Sequence, residues 1–316
     1  MKRLNLPILL LLAGTIWAQN RTPRTYYNRL NNEIHVFHYK SMNFYQTHLT
    51  ESMGKSATAR LKAVNEQLVL SRKRVESVPA YRSDAKLRDT YLAGLDSLID
   101  IFENDFKKIE NLKRYRQQSY KDLLSYYNAL NDAEKRVKKA EEMLILAEED
   151  FSTNNSMKLQ RDTDRDLRYK KFEQINGLSR AMTLQFYKVD HQLKSYLEII
   201  DGNRNLNLDT YDLDEKVAQL RADAEEALIE INILELEDFN TDFQKEAMAY
   251  MKFVIKQSNQ VLQKSASIMG TEPYYSDNCR DIRLDLQFFE ETYNTNRKQL
   301  MDTRIKWLKN SFADLK

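Results

Sequence analysis

Turn formers are nearly missing from this chain of 316 residues, which holds 6 glycines and 4 prolines. Strand-rich folds need such residues at their many tight turns, so the shortage argues against one. Cysteine occurs once, at Cys279. A lone thiol forms no intramolecular disulfide and cannot supply the paired cysteines of a c-type haem attachment, so it reads as a small buried apolar side chain. The glycines are all isolated and no Gly-x-Ser-x-Gly turn exists. That leaves no glycine-rich cradle for phosphates and no hydrolase elbow.

A surplus charge of one sign is also lacking. Removing Lys2 and Arg3 from the 49 basic residues leaves 47, equal to the acidic count. A neutral chain has no electrostatic reason to bind nucleic acid, whose affinity rests largely on phosphate neutralisation. The long apolar run is confined to Leu6–Ala13, behind Lys2 and Arg3 and ahead of Ala18. Those are the three parts of a secretory signal peptide, and the run is too short to span a bilayer. Cleavage is expected after Ala18. The residue after that point is Gln19 rather than a cysteine, so a lipid-anchored N-terminus is not expected, and the mature chain is expected to be periplasmic, surface-exposed or secreted, without a transmembrane helix.

What is abundant is helical periodicity. Leu87, Tyr91, Leu95, Leu98, Phe102, Phe106, Ile109 and Leu112 recur at three- and four-residue steps. That spacing puts all of them on one helix face. Tyr120, Leu123, Tyr127, Leu130, Ala133, Val137, Ala140, Leu144, Ala147 and Phe151 form a second stripe, and two more run from Ile175 to Ile200 and from Val217 to Ile231. Polar breaks separate them at Pro79–Asp84, Ser152–Ser156, Asp201–Asp209, Asp238–Asp242 and Gly270–Asn278. The reading is eight long helices with charged outer faces.

At one ungapped offset of 159, Leu30, Ile34 and Phe37 fall on Val189, Leu193 and Tyr196. Leu61 falls on Leu220, Tyr91 on Tyr250, Leu95 on Val254, Phe102 on Val261, Ile109 on Ile268, Leu123 on Ile282 and Leu130 on Phe289. One shared offset across loops points to an internal duplication. The fold expected is all-α: a signal peptide at 1–18, then two tandem four-helix-bundle units of long antiparallel helices at 19–158 and 162–316.

The stretches LRDTYLAGLDSLIDIFENDFKKI (Leu87–Ile109) and LNDAEKRVKKAEEMLILAEEDFSTNN (Leu130–Asn155), behind a signal peptide, resemble an exported all-helical family of bacterial surface proteins with no assigned activity. The resemblance implies an envelope or surface protein and brings no functional residues with it.

Chemistry-bearing residues are thinly spread. The histidines are His35, His38, His48 and His191. None has the Glu three residues earlier that a di-iron bundle uses. Asp162, Asp164, Asp166 and Glu173 match the oxygen positions of a calcium loop, but Leu167 stands where the sharp turn calls for glycine. Asp201, Asn203, Asn205, Asn207, Asp209 and Asp212 repeat the spacing, with Leu206 at that position, and are the metal candidates. Tyr274 and Tyr275, on a loop, are candidate partner anchors, since aromatic rings with a polar tip suit interfaces. The leading expectation is therefore a non-enzymatic binding or scaffolding protein of the bacterial envelope or surface, with a protein partner and no catalytic residue or cofactor. The alternatives are a calcium-dependent envelope protein using the 201–212 loop and an enzyme with an unrecognised carboxylate site.

Overall fold

The computed structural model describes residues 22–50, 55–159, 163–202, 210–236, 239–273, 275–313 and 315. The chain is all-α. Among the described residues there are ten α-helices, one π-helical turn and no strand. The helices are α1 (Pro23–Thr50), α2 (Lys55–Glu76), α3 (Lys86–Asp100), α4 (Phe106–Lys113), α5 (Tyr120–Asn154), α6 (Thr163–Gly202), α7 (Thr210–Asn232), α8 (Asp242–Ser258), α9 (Val261–Thr271) and α10 (Asp277–Ala313). The π-turn Ile101–Asp105 joins α3 to α4 without a break, and only Asn259 and Gln260 separate α8 from α9. The expected signal peptide lies outside the described residues.

Local chemistry places the helix starts. The Thr22 hydroxyl accepts the Thr25 amide at 3.2 Å, and Pro23 follows as the first helical residue, where a missing N–H costs nothing. Asp84 takes the Lys86 amide at 2.8 Å ahead of α3, and Asn240 takes the Asp242 amide at 2.6 Å ahead of α8. Ser119 and Asp122 bond each other reciprocally at α5, and Ser276 accepts the Cys279 amide at 3.1 Å at α10. Cys279 is buried, as its place on the α10 stripe requires.

The chain divides into two compact units. One gathers the residues up to Arg116 with Ser125–Thr163, and the other gathers Gln117–Leu124 with Asp164–Lys316. In the first, Phe37, Phe44, Tyr45, Phe102 and Phe106 fill the core with edge-on and stacked rings, the closest pair being Phe102 and Phe106 at 4.6 Å. In the second, Phe186 meets Tyr250 at 4.9 Å, and Trp307 packs on Phe243 while donating to the Asn240 carbonyl at 2.6 Å.

Both units carry four rods in the same order, and the third rod of each is interrupted, at Ile101–Asp105 in one and at Asn259–Gln260 in the other. Ahead of the interruption the offset of 159 pairs buried with buried: Leu30 with Val189, Leu61 with Leu220, Tyr91 with Tyr250, Leu95 with Val254. Just past it the single offset fails. Phe102, Phe106 and Ile109 match the buried Leu262, Ala266 and Met269, one residue beyond the positions that the ungapped alignment assigns, whereas Val261 and Ile268 are only partly buried. Across the interruption the match of these buried positions moves by one residue, although Ser265, opposite Phe106 at the offset of 159, is buried as well, and an ungapped comparison has no means of absorbing such a step.

Two glycines sit inside helices for different reasons. A Cβ on Gly94 would lie 2.8 Å from Leu144 Cδ2 and 3.1 Å from its Cγ, so this glycine lets α3 approach α5 closely. A Cβ on Gly177 would meet nothing within 4 Å. Gly177→Ala is expected to stabilise by about 0.5 to 1 kcal/mol through helix propensity alone. Gly94→Ala is expected to destabilise by about 1 to 2 kcal/mol, because displacing a branched core side chain outweighs the same gain. Equilibrium unfolding of the two variants checks the opposite signs.

Candidate functional site

His48 continues the core stripe of α1 that carries Phe37, Ser41 and Phe44, so the backbone buries an imidazole where the pattern calls for an apolar group. Its surroundings repair the mismatch. Nδ1 lies 2.6 Å from the Glu110 carboxylate on α4, and Nε2 lies 2.6 Å from the Tyr126 hydroxyl on α5. The partners define the tautomer: Nδ1–H donates to Glu110, and Nε2 accepts from the phenol. Lys113, itself buried, donates its ammonium to the His48 carbonyl at 3.0 Å, and the Arg116 guanidinium stands over the Tyr126 ring at 5.2 Å. Burial pushes the imidazole pKa down to about 4, with Lys113 and Arg116 adding to the fall and Glu110 opposing it. Burial acts to raise the Glu110 pKa, but the hydrogen bond from His48 and the nearby charges of Lys113 and Arg116 work against it, and the carboxyl lies below its usual range.

The order carboxylate, imidazole, hydroxyl is that of a nucleophilic relay, in which the acid orients the base and the base takes the hydroxyl proton. Here the hydroxyl belongs to Tyr126, which is 1% exposed and faces no opening. The array is therefore closed to a substrate in this conformation.

The second unit buries a carboxylate instead. Asp190 on α6 is 1% exposed and accepts from the Tyr250 hydroxyl at 3.0 Å, the Tyr293 hydroxyl at 2.9 Å and Arg297 Nε at 3.0 Å. Burial, and next the Asp190 charge, push both phenols above their ordinary range. Burial tends to lower Arg297, but Asp190 more than offsets this and the guanidinium pKa is raised. Tyr91, which the offset of 159 aligns with Tyr250, likewise donates to a carboxylate, that of Glu148, as does Tyr27 at 3.3 Å.

Two open grooves accompany these closed clusters. In the first unit a groove of about 720 Å³ follows one face of α2 from Thr58 to Lys73 and is closed on its other side by Phe102–Lys107. Val69 and the exposed Leu70 supply apolar surface over a floor that reaches the buried Leu61 and Phe102, and Lys62, Lys73, Lys107, Glu66 and Glu103 supply the rim. Lys62 leans on Glu66 at 3.7 Å, whereas Lys73 and Lys107 make no ion pair among the described residues. Asn65 reaches across to the π-turn, where its amide donates to the Phe102 carbonyl at 3.5 Å. In the second unit a groove of about 490 Å³ lies beside the α8/α9 interruption under the 70% exposed ring of Phe288.

The residues singled out from the sequence fall elsewhere. Asp201 is exposed at the end of α6, and Asp212 is exposed in the first turn of α7, where a negative charge complements the helix dipole. Asn203, Asn205, Asn207 and Asp209 lie outside the described residues. Asp164, Asp166, Leu167 and Glu173 belong to α6, so from 163 to 173 the backbone is helix and does not wrap as a cation loop; Asp162 is outside the described residues. Tyr275 is 86% exposed, and Tyr274 is not among the described residues. His38 lies 2.9 Å from Glu141, and His35 lies 3.2 Å from Asn31. Among the described residues, no group of three or more potential ligands is placed to hold a metal ion, and no helix is long and apolar enough to cross a membrane.

Comparison with known protein families, characterised proteins and solved structures gives no match. Function has to be read from the geometry of the chain itself.

Sequence reasoning reached none of the Glu110, Tyr126, Lys113 and Asp190 contacts. One signal was available: a histidine three or four residues beyond Phe44 and Tyr45 on a core stripe has to find partners on other helices.

Proposed function

We propose that the chain is a non-enzymatic, exported helical binding protein that holds an amphipathic, acidic-flanked helix of a partner in the groove along α2. The groove is the observation that carries this reading. It is open, unlike the two buried polar clusters, and from Thr58 to Lys73 it runs about 22 Å at 1.5 Å per residue, a fitting length for four turns of a docked helix. Val69 and the exposed Leu70 offer apolar surface to one face of such a helix, and Lys73 and Lys107, which make no ion pair among the described residues, would meet acidic residues at its edge. Export rests on the N-terminal pattern; the envelope form is expected to begin at Gln19.

The test uses the full chain with a photo-crosslinking residue at Leu70 and, as a control, at Ile145 on α5. A partner captured at position 70 alone, identified and rebound in purified form, is expected to lose about tenfold or more in affinity on Lys73→Glu plus Lys107→Glu, with the thermal midpoint unchanged. Equal capture at both positions, or affinity indifferent to the charge reversal, removes the groove as the binding surface.

The shared rod order and the matched interruptions of the third rods further support descent of the two units from one four-rod ancestor.

A further inference from the structure

We propose that the Glu110, His48 and Tyr126 array is an acid-operated latch: a proton taken up by the imidazole releases the C-terminal half of α1 from α4 and α5 and bares the aromatic core at that end of the first unit. In the closed state both ring nitrogens are satisfied only while the ring is neutral. Nδ1–H has its carboxylate and Nε2 has a phenol proton pointing at it. A second ring proton turns Nε2 into a donor facing a donor, so the phenol must rotate and give up its bond. The charge balance worsens at the same step. The groups facing the ring are Glu110 and Lys113 from α4, Arg116 just beyond it and Tyr126 from α5. Protonation would place three cations around the single Glu110 carboxylate, with the imidazole fully enclosed.

The backbone is fastened at the same residue, because Lys113 holds the His48 carbonyl. Phe44, which meets the His48 ring at a tilt at 5.4 Å and Phe106 edge-on at 5.3 Å, carries the disturbance into the core.

Linkage sets the direction with pH. The unfolded or opened ring binds a proton near 6.5, whereas the enclosed ring binds one only near pH 4, so the closed state is fully supported above about pH 6.5 and loses support as the pH falls towards 4. Loss of the ordinary Glu110 charge at still lower pH acts in the same direction.

The experiment is hydrogen exchange of the full chain read by mass spectrometry from pH 7.5 to pH 4, corrected for intrinsic rates. Peptides covering 40–50 and 106–113 are expected to lose about tenfold or more of their protection below pH 6, while peptides of α8 keep theirs. Tyr126→Phe removes the donor that favours the neutral ring, which raises the pKa of the enclosed ring towards its open value and should shrink the loss of protection between pH 7.5 and pH 4. Glu110→Gln removes the charge that favours the protonated ring, which lowers the enclosed pKa further and should enlarge that loss. Unchanged protection in the wild type, or an acid-induced loss that both variants change in the same sense, overturns the latch. Where a variant fails to fold, the nitrogen resonances of His48 in the wild type decide: a neutral ring protonated at Nδ1 at pH 6 supports it, and a ring already charged at pH 6 overturns it.

Discussion

Replacing Asp190 with alanine is expected to destabilise the second unit by about 3 to 5 kcal/mol, the cost of breaking a buried ion pair from one side. The carboxylate serves three donors at once, and none of the three has another partner of comparable strength nearby. Without it, the Tyr250 and Tyr293 hydroxyls are left in an apolar interior with no acceptor, each costing about 1 to 3 kcal/mol of desolvation. Arg297→Ala should cost less, because the guanidinium side is 38% exposed and Asp190 would keep its two phenols. The chain offers a selective probe of this unit. Its two tryptophans are Trp17, within the expected signal peptide, and Trp307, which is buried on α10. Urea unfolding followed by Trp307 fluorescence therefore reads the second unit. A loss below about 1 kcal/mol for Asp190→Ala would show that the cluster contributes no more than an exposed pair does.

Phe102→Ala is expected to be as damaging to the first unit, by about 3 to 5 kcal/mol. Phe102 is fully buried and touches Phe37, Phe44, Tyr45 and Phe106, so its removal leaves a cavity walled by rings that cannot collapse inward without losing their own contacts. The same variant tests the independence of the two units. Circular dichroism should show an earlier first phase, because it reports helices throughout, while the Trp307 midpoint should stay where it was. A Trp307 midpoint that falls in step would mean one cooperative body.

The fold class was legible because the core is written in spacing. Every position from Leu87 to Ile109 on the first stripe is buried, as is nearly every position named on the others, and the breaks at Pro79–Asp84 and Gly270–Asn278 fall where caps and turns form. Apolar stripes announce themselves by period. The sites do not, because they depend on which helix faces which. Nothing in the neighbourhood of His48 points to Glu110 or Tyr126, 62 and 78 residues away, nor does Asp190 point to Tyr250 or Arg297. The π-turn was hidden for a related reason. Its stripe reads 98, 102, 106, 109, a series that an α-helix also satisfies, so one extra residue left no mark on the pattern.

That extra residue has a bearing on how this bundle tolerates changes in length. In an α-helix each residue turns the chain by about 100°, so a deletion within a rod swings everything after it off the core and brings charges inward. A π-turn already holds a surplus residue without rotating the helix beyond it: Leu98 before the turn and Phe106 after it are both buried. Shortening Ile101–Asp105 by one would let the rod close into continuous α-helix with Phe106, Ile109 and Lys113 still facing inward. The third rod of the first unit thus carries a place where the loss of one residue is absorbed locally and the core beyond it keeps its facing.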